Sequence, residues 1–375
     1  MMSSFARTDT SLLGRWWWTV DRWTLLSVIA LMGFGAVLML AASPAAAERI
    51  GLKSFQLASR QIVLLPFAAA VLIAMSLATP RWIRRVACVG LVCSIGLLVL
   101  TLLAGPEIKG ATRWISLGGL SIQPSEFVKP CFAVAAAWLL SLKEEETGVP
   151  GAKIAVALWV VVASLLLLQP DLGQAVLLTA VWGTQVFLAG LPLAWIAVLA
   201  VVGASGLVAA YAALPHVSAR VDSFFDPAAG DRYQISRSIE AFMNGGLFGR
   251  GPGEGTVKAQ LPDAHSDFIF AVAGEEMGLI ACLLILGLFA FIVLRGFARL
   301  LQENSLFVLL AASGLLVQFG LQAFINMAST LHLMPTKGMT LPFLSYGGSS
   351  LMALALGMGM LLALTRRRVG GEAAL

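Results

Sequence analysis

Phe268 to Arg295 reads FIFAVAGEEMGLIACLLILGLFAFIVLR, an apolar run whose only charges before its end are Glu275 and Glu276. About 20 predominantly apolar residues suffice for a helix to cross the hydrocarbon core of a bilayer, and this run exceeds that length. Outward from it the same pattern recurs. Runs bounded by charge, Pro or Gly lie near 24–43, 58–78, 83–104, 126–142, 151–168, 172–190 and 191–214 on the N-terminal side. Two more lie near 305–327 and 345–364 on the C-terminal side. Hydropathy of this kind predicts an all-α integral membrane protein of about ten transmembrane helices, with a large loop of about 215–267 between the seventh and the eighth. The membrane domain is then 24–365, flanked by terminal segments 1–23 and 366–375.

The composition agrees. Of 375 residues, 59% are hydrophobic and 12% charged, with a mean hydropathy of +0.88. That is no water-facing surface, and it excludes a soluble enzyme, a disordered chain, a collagen and a disulfide scaffold. The formal charge of +5 comes from Lys and Arg scattered over short segments between apolar runs. They form no basic stripe, so no nucleic-acid partner is implied. Cys88, Cys93, Cys131 and Cys282 lie within or at the edges of apolar runs, with no CxxC pair and no histidine at metal-ligand spacing, and read as small apolar fillers.

Ten spans put both termini on one side. Arg7, Arg15, Arg22, Arg81, Arg84, Arg85, Lys143, Lys153, Arg295, Arg299 and Arg366 to Arg368 fall there. Once the long loop is set aside they outnumber the basic residues opposite, which makes the termini cytoplasmic and the loops at about 105–125 and 215–267 extracytoplasmic. A basic start, an apolar stretch at 25–40 and small residues at 41–47 also resemble a cleavable signal peptide. Trp16, Trp17, Trp18 and Trp23 instead form an interfacial belt that suits a retained anchor. In the long loop, Ile235, Ile239 and Phe242 share one helical face, the mark of a short amphipathic helix lying on the membrane or the bundle.

Ionisable groups in spans are informative because each costs roughly 2.5–3.5 kcal/mol at a helix centre. Glu126 and Lys129, at i and i+3, share a face of the fourth span. They are either a self-compensating structural pair or the lining of a polar cavity. Asp171 opens the sixth span, and Glu275 and Glu276 sit about two turns inside the eighth. Asp267 immediately precedes the eighth span, where an acid also serves as a helix cap. Asp263 and His265 beside it make a dense titratable group, which favours function. Gly245, Gly246, Gly249, Gly251, Gly253 and Gly255 precede Lys258; such a run presents backbone N–H groups to a phosphate or forms a hinge. From Leu333 to Ser350, two prolines and three glycines interrupt an apolar region around Lys337, which reads as irregular backbone lining a cavity. A carboxylate beside several cations at an outer face open to lipid suits a lipid-linked phosphorylated substrate.

The motifs Lys109-Gly110-Ala111-Thr112-Arg113-Trp114-Ile115, Gln123-Pro124-Ser125-Glu126 and Gln169-Pro170-Asp171-Leu172-Gly173 occur in that order. Leu261-Pro262-Asp263-Ala264-His265-Ser266-Asp267-Phe268, Pro335-Thr336-Lys337-Gly338 and Ser345-Tyr346-Gly347-Gly348-Ser349-Ser350 follow. Together they resemble the SEDS family of shape, elongation, division and sporulation proteins, over nearly all of the chain after the first span. The Pro-Thr-Lys-Gly lysine and the Ala-His-Ser-Asp run resemble the cell-division member of the family rather than the elongation member. Asp263 and Ser266 stand where the family more often has Glu and Thr, and Pro252 is unfamiliar within the glycine run.

The resemblance implies a peptidoglycan glycosyltransferase that polymerises lipid II at the outer leaflet of the inner membrane, at the division septum, releasing undecaprenyl diphosphate. It implies a class B penicillin-binding protein and other division proteins as partners. Asp267 matches the essential aspartate, Glu126 and Lys129 the fourth-span acid and base, and Arg113 and Lys337 further important positions; His265 joins them as a substrate-binding candidate. Lys129 would either face the diphosphate or hold Asp267 ionised. No transition-metal site is implied, and a Mg or Mn ion bridging the diphosphate and Asp267 is compatible with the pattern. The rival readings are a lipid II flippase and a non-catalytic division scaffold. Charges gathered at one face, with no two matching halves, count against a transporter.

Overall fold

The computed structural model describes residues 11–107, 111–117, 120–142, 148–192, 232–335 and 338–367, with isolated residues between 194 and 224. A short helix α1 (Leu12–Thr19) leads into α2 (Arg22–Arg49), α3 (Gln56–Ser76) and α4 (Pro80–Ala104). A hairpin of β1 (Ile115–Leu117) and β2 (Leu120–Ile122) precedes α5 (Pro124–Ser141), α6 (Gly151–Leu168) and α7 (Leu172–Leu188). Then come α8 (Arg232–Gly245), a 3-10 turn at Val257–Gln260, α9 (Ile269–Leu300), α10 (Leu306–Thr330) and α11 (Gly348–Leu364).

The molecule is a multi-pass helical membrane protein. Among the described residues six helices, α2, α3, α4, α6, α9 and α10, are long and apolar enough to cross a membrane, and α7 and α11 are shorter apolar helices. The expected run at 191–214 falls where only isolated residues are described. The all-α expectation needs one addition, the antiparallel β1–β2 pair with Ile115 opposite Ile122.

Helix α5 is the hub of the bundle. Only Phe127 and Trp138 on it escape full burial, and it packs against α4, α6, α7, α10 and α11. The small side chains of Ala133, Ala135, Ala136 and Ala137 let these neighbours approach closely. Glu126 and Lys129 are tolerated on α5 because other helices surround it in place of lipid. The periphery is the opposite: α6 exposes Val160, Val161, Leu167 and Leu168, and α9 exposes Leu279, Ile280, Leu283, Leu284 and Leu294.

At the end where α2 begins, that helix is tied to α9 by charge. Arg295 donates to both oxygens of Asp21, at 3.0 and 2.8 Å, and Arg299 lies 3.0 Å from the same carboxylate. Burial pushes the Asp21 carboxyl up, but the Arg295 and Thr24 hydrogen bonds and the Arg299 charge outweigh it and hold the pKa below the usual carboxylate value. Arg299 also donates to Thr365 O (2.7 Å), and Arg367 N to Thr19 O (3.0 Å).

At the opposite end, α9 is broken. Gly278 adopts φ 78°, ψ −177°, a conformation reserved for glycine. The glycine-rich loop is spliced into the break: Arg250 and Gly251 N–H donate to the carbonyls of Glu275 and Glu276, while Leu279 and Ile280 N–H donate to Gly246 and Leu247 O. The piece from Leu279 to Leu300 measures roughly 33 Å at 1.5 Å per residue, enough to cross a bilayer alone. Glu275 and Glu276 lie on the other side of the break, about two turns inside α9 as the apolar run suggested. Helix α8 packs on α9 where Gly245 meets Gly274, a Cβ there lying 1.9 Å from Gly274 O, and where Phe242 meets Phe270; Ser238 on its buried stripe donates to Thr330 O at the end of α10. Ile239, expected on that face, is 39% exposed, because the buried stripe is centred one turn-step away on Ser238.

Candidate active site at the Asp267 end

The turn 262–268 ahead of α9 is shaped by Asp263, whose φ of 51° is a left-handed conformation that aspartate tolerates. Its carbonyl gathers the N–H groups of Ser266, Asp267 and Phe268. The carbonyls of residues 265, 266 and 267 are each captured from another element. His265 O accepts from Tyr346 N (2.8 Å), Ser266 O from Ser345 Oγ (2.5 Å) and Asp267 O from Asn326 Nδ2 (2.9 Å). Gln61 on α3 braces the same loop, donating to Ser345 O and accepting from Gly347 N–H. Asp267 is thus fixed by its backbone while its carboxylate is only half-buried. The N-cap position of α9 is Phe268, one residue after Asp267. Oδ2 of Asp267 faces Gly338, where a Cβ would stand 3.6 Å away. Thr336 and Lys337 lie outside the described residues.

The second half of the site is the Glu126–Lys129 pair at the start of α5, 3% and 2% exposed. Lys129 Nζ donates to Glu126 Oε2 (2.9 Å) and to Gln322 Oε1 on α10 (3.0 Å). Gln174 on α7 donates to the other Glu126 oxygen at 2.9 Å. Arg113 lies on the flank, 3.7 Å from Asp171 Oδ1, and donates to the carbonyls of Gln169 and Pro170. Burial pushes the Asp171 carboxyl above the usual carboxylate value; the Arg113 charge opposes this and nearby Glu126 adds to it. Among the described residues, Asp171 Oδ2, Gln174 Oε1 and Gln169 Oε1 are buried yet accept no hydrogen bond. Each of these atoms has room for a further partner, an ordered water or a bound group.

The structure thus gathers Arg113, Glu126 and Lys129 into one network and joins it to the Asp267 turn through Gln322 and Asn326. His265 keeps its place in that turn, its ring 5.5 Å from Tyr346. Burial pushes its pKa below the usual imidazole value, partly offset by Asp263, so the ring is neutral near pH 7 and adds no cation. Gln174, Gln322 and Asn326 were not foreseen from sequence. Their signal was there, since uncharged amides inside apolar runs are themselves costly, but they are cheaper than charges and easily passed over.

Glu275 and Glu276 belong elsewhere. Glu275 accepts from Asn244 Nδ2 and from the N–H groups of Thr256, Val257 and Lys258, all at 2.8 Å. Glu276 accepts from Gly253 and Gly255 N–H and from Lys258 Nζ. The glycine-rich run is therefore an anion cradle, but the anions it holds are the protein's own.

Residues 22–369 match the family described as cell cycle protein, FTSW_RODA_SPOVE. The chain belongs to this SEDS family. The SEDS chain is 46% identical over 372 residues to the "Probable peptidoglycan glycosyltransferase FtsW" of Caulobacter vibrioides, covering 99% of the one and 95% of the other. It is 37% identical to the protein of the same name from Trichlorobacter lovleyi, over 90% and 91% of the two chains. A solved structure titled "Structural coordination of polymerization and crosslinking by a peptidoglycan synthase complex" matches with a TM-score of 0.75 and 30% identity, over 92% of this chain and 97% of that one. The rod shape determining protein RodA of Thermus thermophilus matches at 0.68 and 29%, over 93% and 97%.

Proposed function

We propose that this chain polymerises lipid II into glycan strands at the outer leaflet of the inner membrane during cell division, with both termini cytoplasmic and the Asp267 end outermost. The observation that carries the reading is the pairing of a backbone-clamped, half-buried carboxylate with a buried lysine network that leaves polar atoms unmatched. The names of the relatives support the same chemistry.

A sugar hydroxyl is a poor nucleophile at neutral pH. Asp267, accepting the proton as the hydroxyl oxygen bonds to the anomeric carbon of the next unit, would contribute on the order of 10²–10⁴ in rate. The bond to the lipid diphosphate breaks in the same displacement, and undecaprenyl diphosphate leaves with the electron pair. One positioned carboxylate, with no second acting as nucleophile, favours inversion. Cations fixed before the reaction stabilise the charge that grows on the diphosphate. Lys337 would take that role, and Lys129 would either share it or hold Asp267 ionised, while Arg113, paired with Asp171, would lie at the flank. His265, neutral, would contact substrate as a hydrogen-bonding group. A Mg or Mn ion, if used, would be held by Asp267 and would offset charge on the leaving diphosphate; among the described residues no group of three His, Cys, Asp or Glu side chains is arranged to hold one. A class B penicillin-binding protein would receive the strand for crosslinking.

The test is polymerisation of labelled lipid II by the chain co-expressed with its class B partner, comparing native protein with Asp267→Asn at equal folded yield. Polymer from the native pair alone is expected. Equal polymer from both removes Asp267 as the base; none from either, with lipid transport intact, moves the function to flipping or to scaffolding.

A further inference from the structure

Two amides on successive turns of α10 stand between the halves of the site. Gln322 and Asn326 are 0% and 1% exposed, and their spacing of four places them on one helical face. Gln322 works with both ends of its amide. Its Oε1 accepts from Lys129 Nζ at 3.0 Å, and its Nε2 donates to Thr340 O at 3.1 Å and Thr340 Oγ1 at 3.2 Å. Asn326 uses one Nδ2 group for two carbonyls, Met339 O at 2.6 Å and Asp267 O at 2.9 Å. The carbonyls of 339 and 340 are consecutive, so the two amides grip adjacent peptide units of a single loop, the one in which Gly338 stands opposite the Asp267 carboxylate.

We propose that Gln322 and Asn326 are positioning residues that hold the Lys129 ammonium and the Asp267 turn in register through the shared 339–340 backbone. The inference rests on the polymerase reading above and goes beyond it in saying what sets the distance between base and cation. A methionine at 322 would fill the same space in an apolar helix, so packing alone does not call for an amide there. Hydrogen bonds between helices within a membrane add only modestly to stability. Misplacement of a catalytic group by about 1 Å, however, can cost on the order of a hundredfold in rate. Loss of these amides should therefore appear in turnover before it appears in folding.

The experiment measures lipid II polymerisation by the full chain with its class B partner for native protein, Gln322→Met, Gln322→Glu and the control Asp267→Asn, from pH 5.5 to 8. Gln322→Met should lower kcat by roughly tenfold or more with KM within about threefold, the pattern of an interaction felt mainly in the transition state. Gln322→Glu sets a second carboxylate against Lys129 when ionised, but is the same shape as glutamine and neutral when protonated. Its activity relative to native should fall at pH 8 and recover severalfold toward pH 5.5. A merely structural role gives a loss that does not change with pH. Native turnover in both variants, or equal and pH-independent losses in both, overturns the proposal while the Asp267→Asn control keeps the polymerase reading intact. If Gln322→Met does not fold, the pH ratio of Gln322→Glu decides alone. If the native pair makes no polymer, the polymerase reading falls first and this inference with it.

Discussion

The molecule buries carboxylates at two places near the Asp267 end, and it treats them differently. Glu275 and Glu276 are saturated: every donor around them belongs to the loop, to Asn244 or to Lys258, and most are backbone N–H groups. Glu126 has two partners, Gln174 and Lys129, each on a side chain, amid acceptors that the described residues leave unmatched. Backbone donors cannot swing toward a ligand, whereas side-chain donors can. The first site spends its charge on holding a loop to a helix; the second keeps its charge available. Two acids equally suspicious by burial are thus separated by what satisfies them.

That contrast can be broken most directly at Glu275. Glu275→Leu strands four donors in a buried pocket, at a cost of about 1–3 kcal/mol for each one left unpaired. Loss of most folded protein is expected, read as monodisperse yield in detergent, and a normal yield would mean the cradle is not structural. Gly278→Ala attacks the same splice through the backbone. Its φ of 78° is joined by a Cβ clash at 2.4 Å with Gly249 N and Leu247 O, and a destabilisation of about 3 kcal/mol should lower the melting temperature clearly.

The pair on α5 should respond the other way. Glu126→Gln with Lys129→Met removes both charges together, which for buried ion pairs is often neutral in stability. Polymerisation should nevertheless fall about a hundredfold at nearly unchanged melting temperature. Unchanged polymerisation would make this pair as structural as the cradle. The smallest effect lies at His265. Its folded pKa is lowered by burial, so the unfolded chain takes up the proton first as pH falls below about 6.5. Stability should decline from there down to the folded pKa, and His265→Gln should remove that part of the slope in melting temperature against pH.

Much of this was legible in the sequence, for a physical reason. Hydrocarbon demands long apolar runs, so the runs announce the spans, and charges on α5 are costly enough to stand out. What was hidden depended on partners distant in the chain. Gly278 looks like any glycine in an apolar run until the Gly246–Gly251 segment, nearly thirty residues earlier, is seen to exchange hydrogen bonds with the residues on either side of it. The glycine run was readable as a set of N–H donors, but not whose anion they held. Gln322 and Asn326 carry no charge, and only α5, the 339–340 loop and the Asp267 turn meeting around them reveal their part. Ile239 was misplaced because three apolar residues at helical spacing outvoted the small Ser238, Ala241 and Gly245 that let α8 come close.

The splice at Gly278 also bears on how the protein is made. Synthesis runs from the N-terminus, so Gly253 to Lys258 emerge before Glu275 and Glu276, and the loop must wait for the carboxylates that will organise it. The loop and the broken start of α9 therefore take shape together, since each supplies the hydrogen-bond partners that the other lacks.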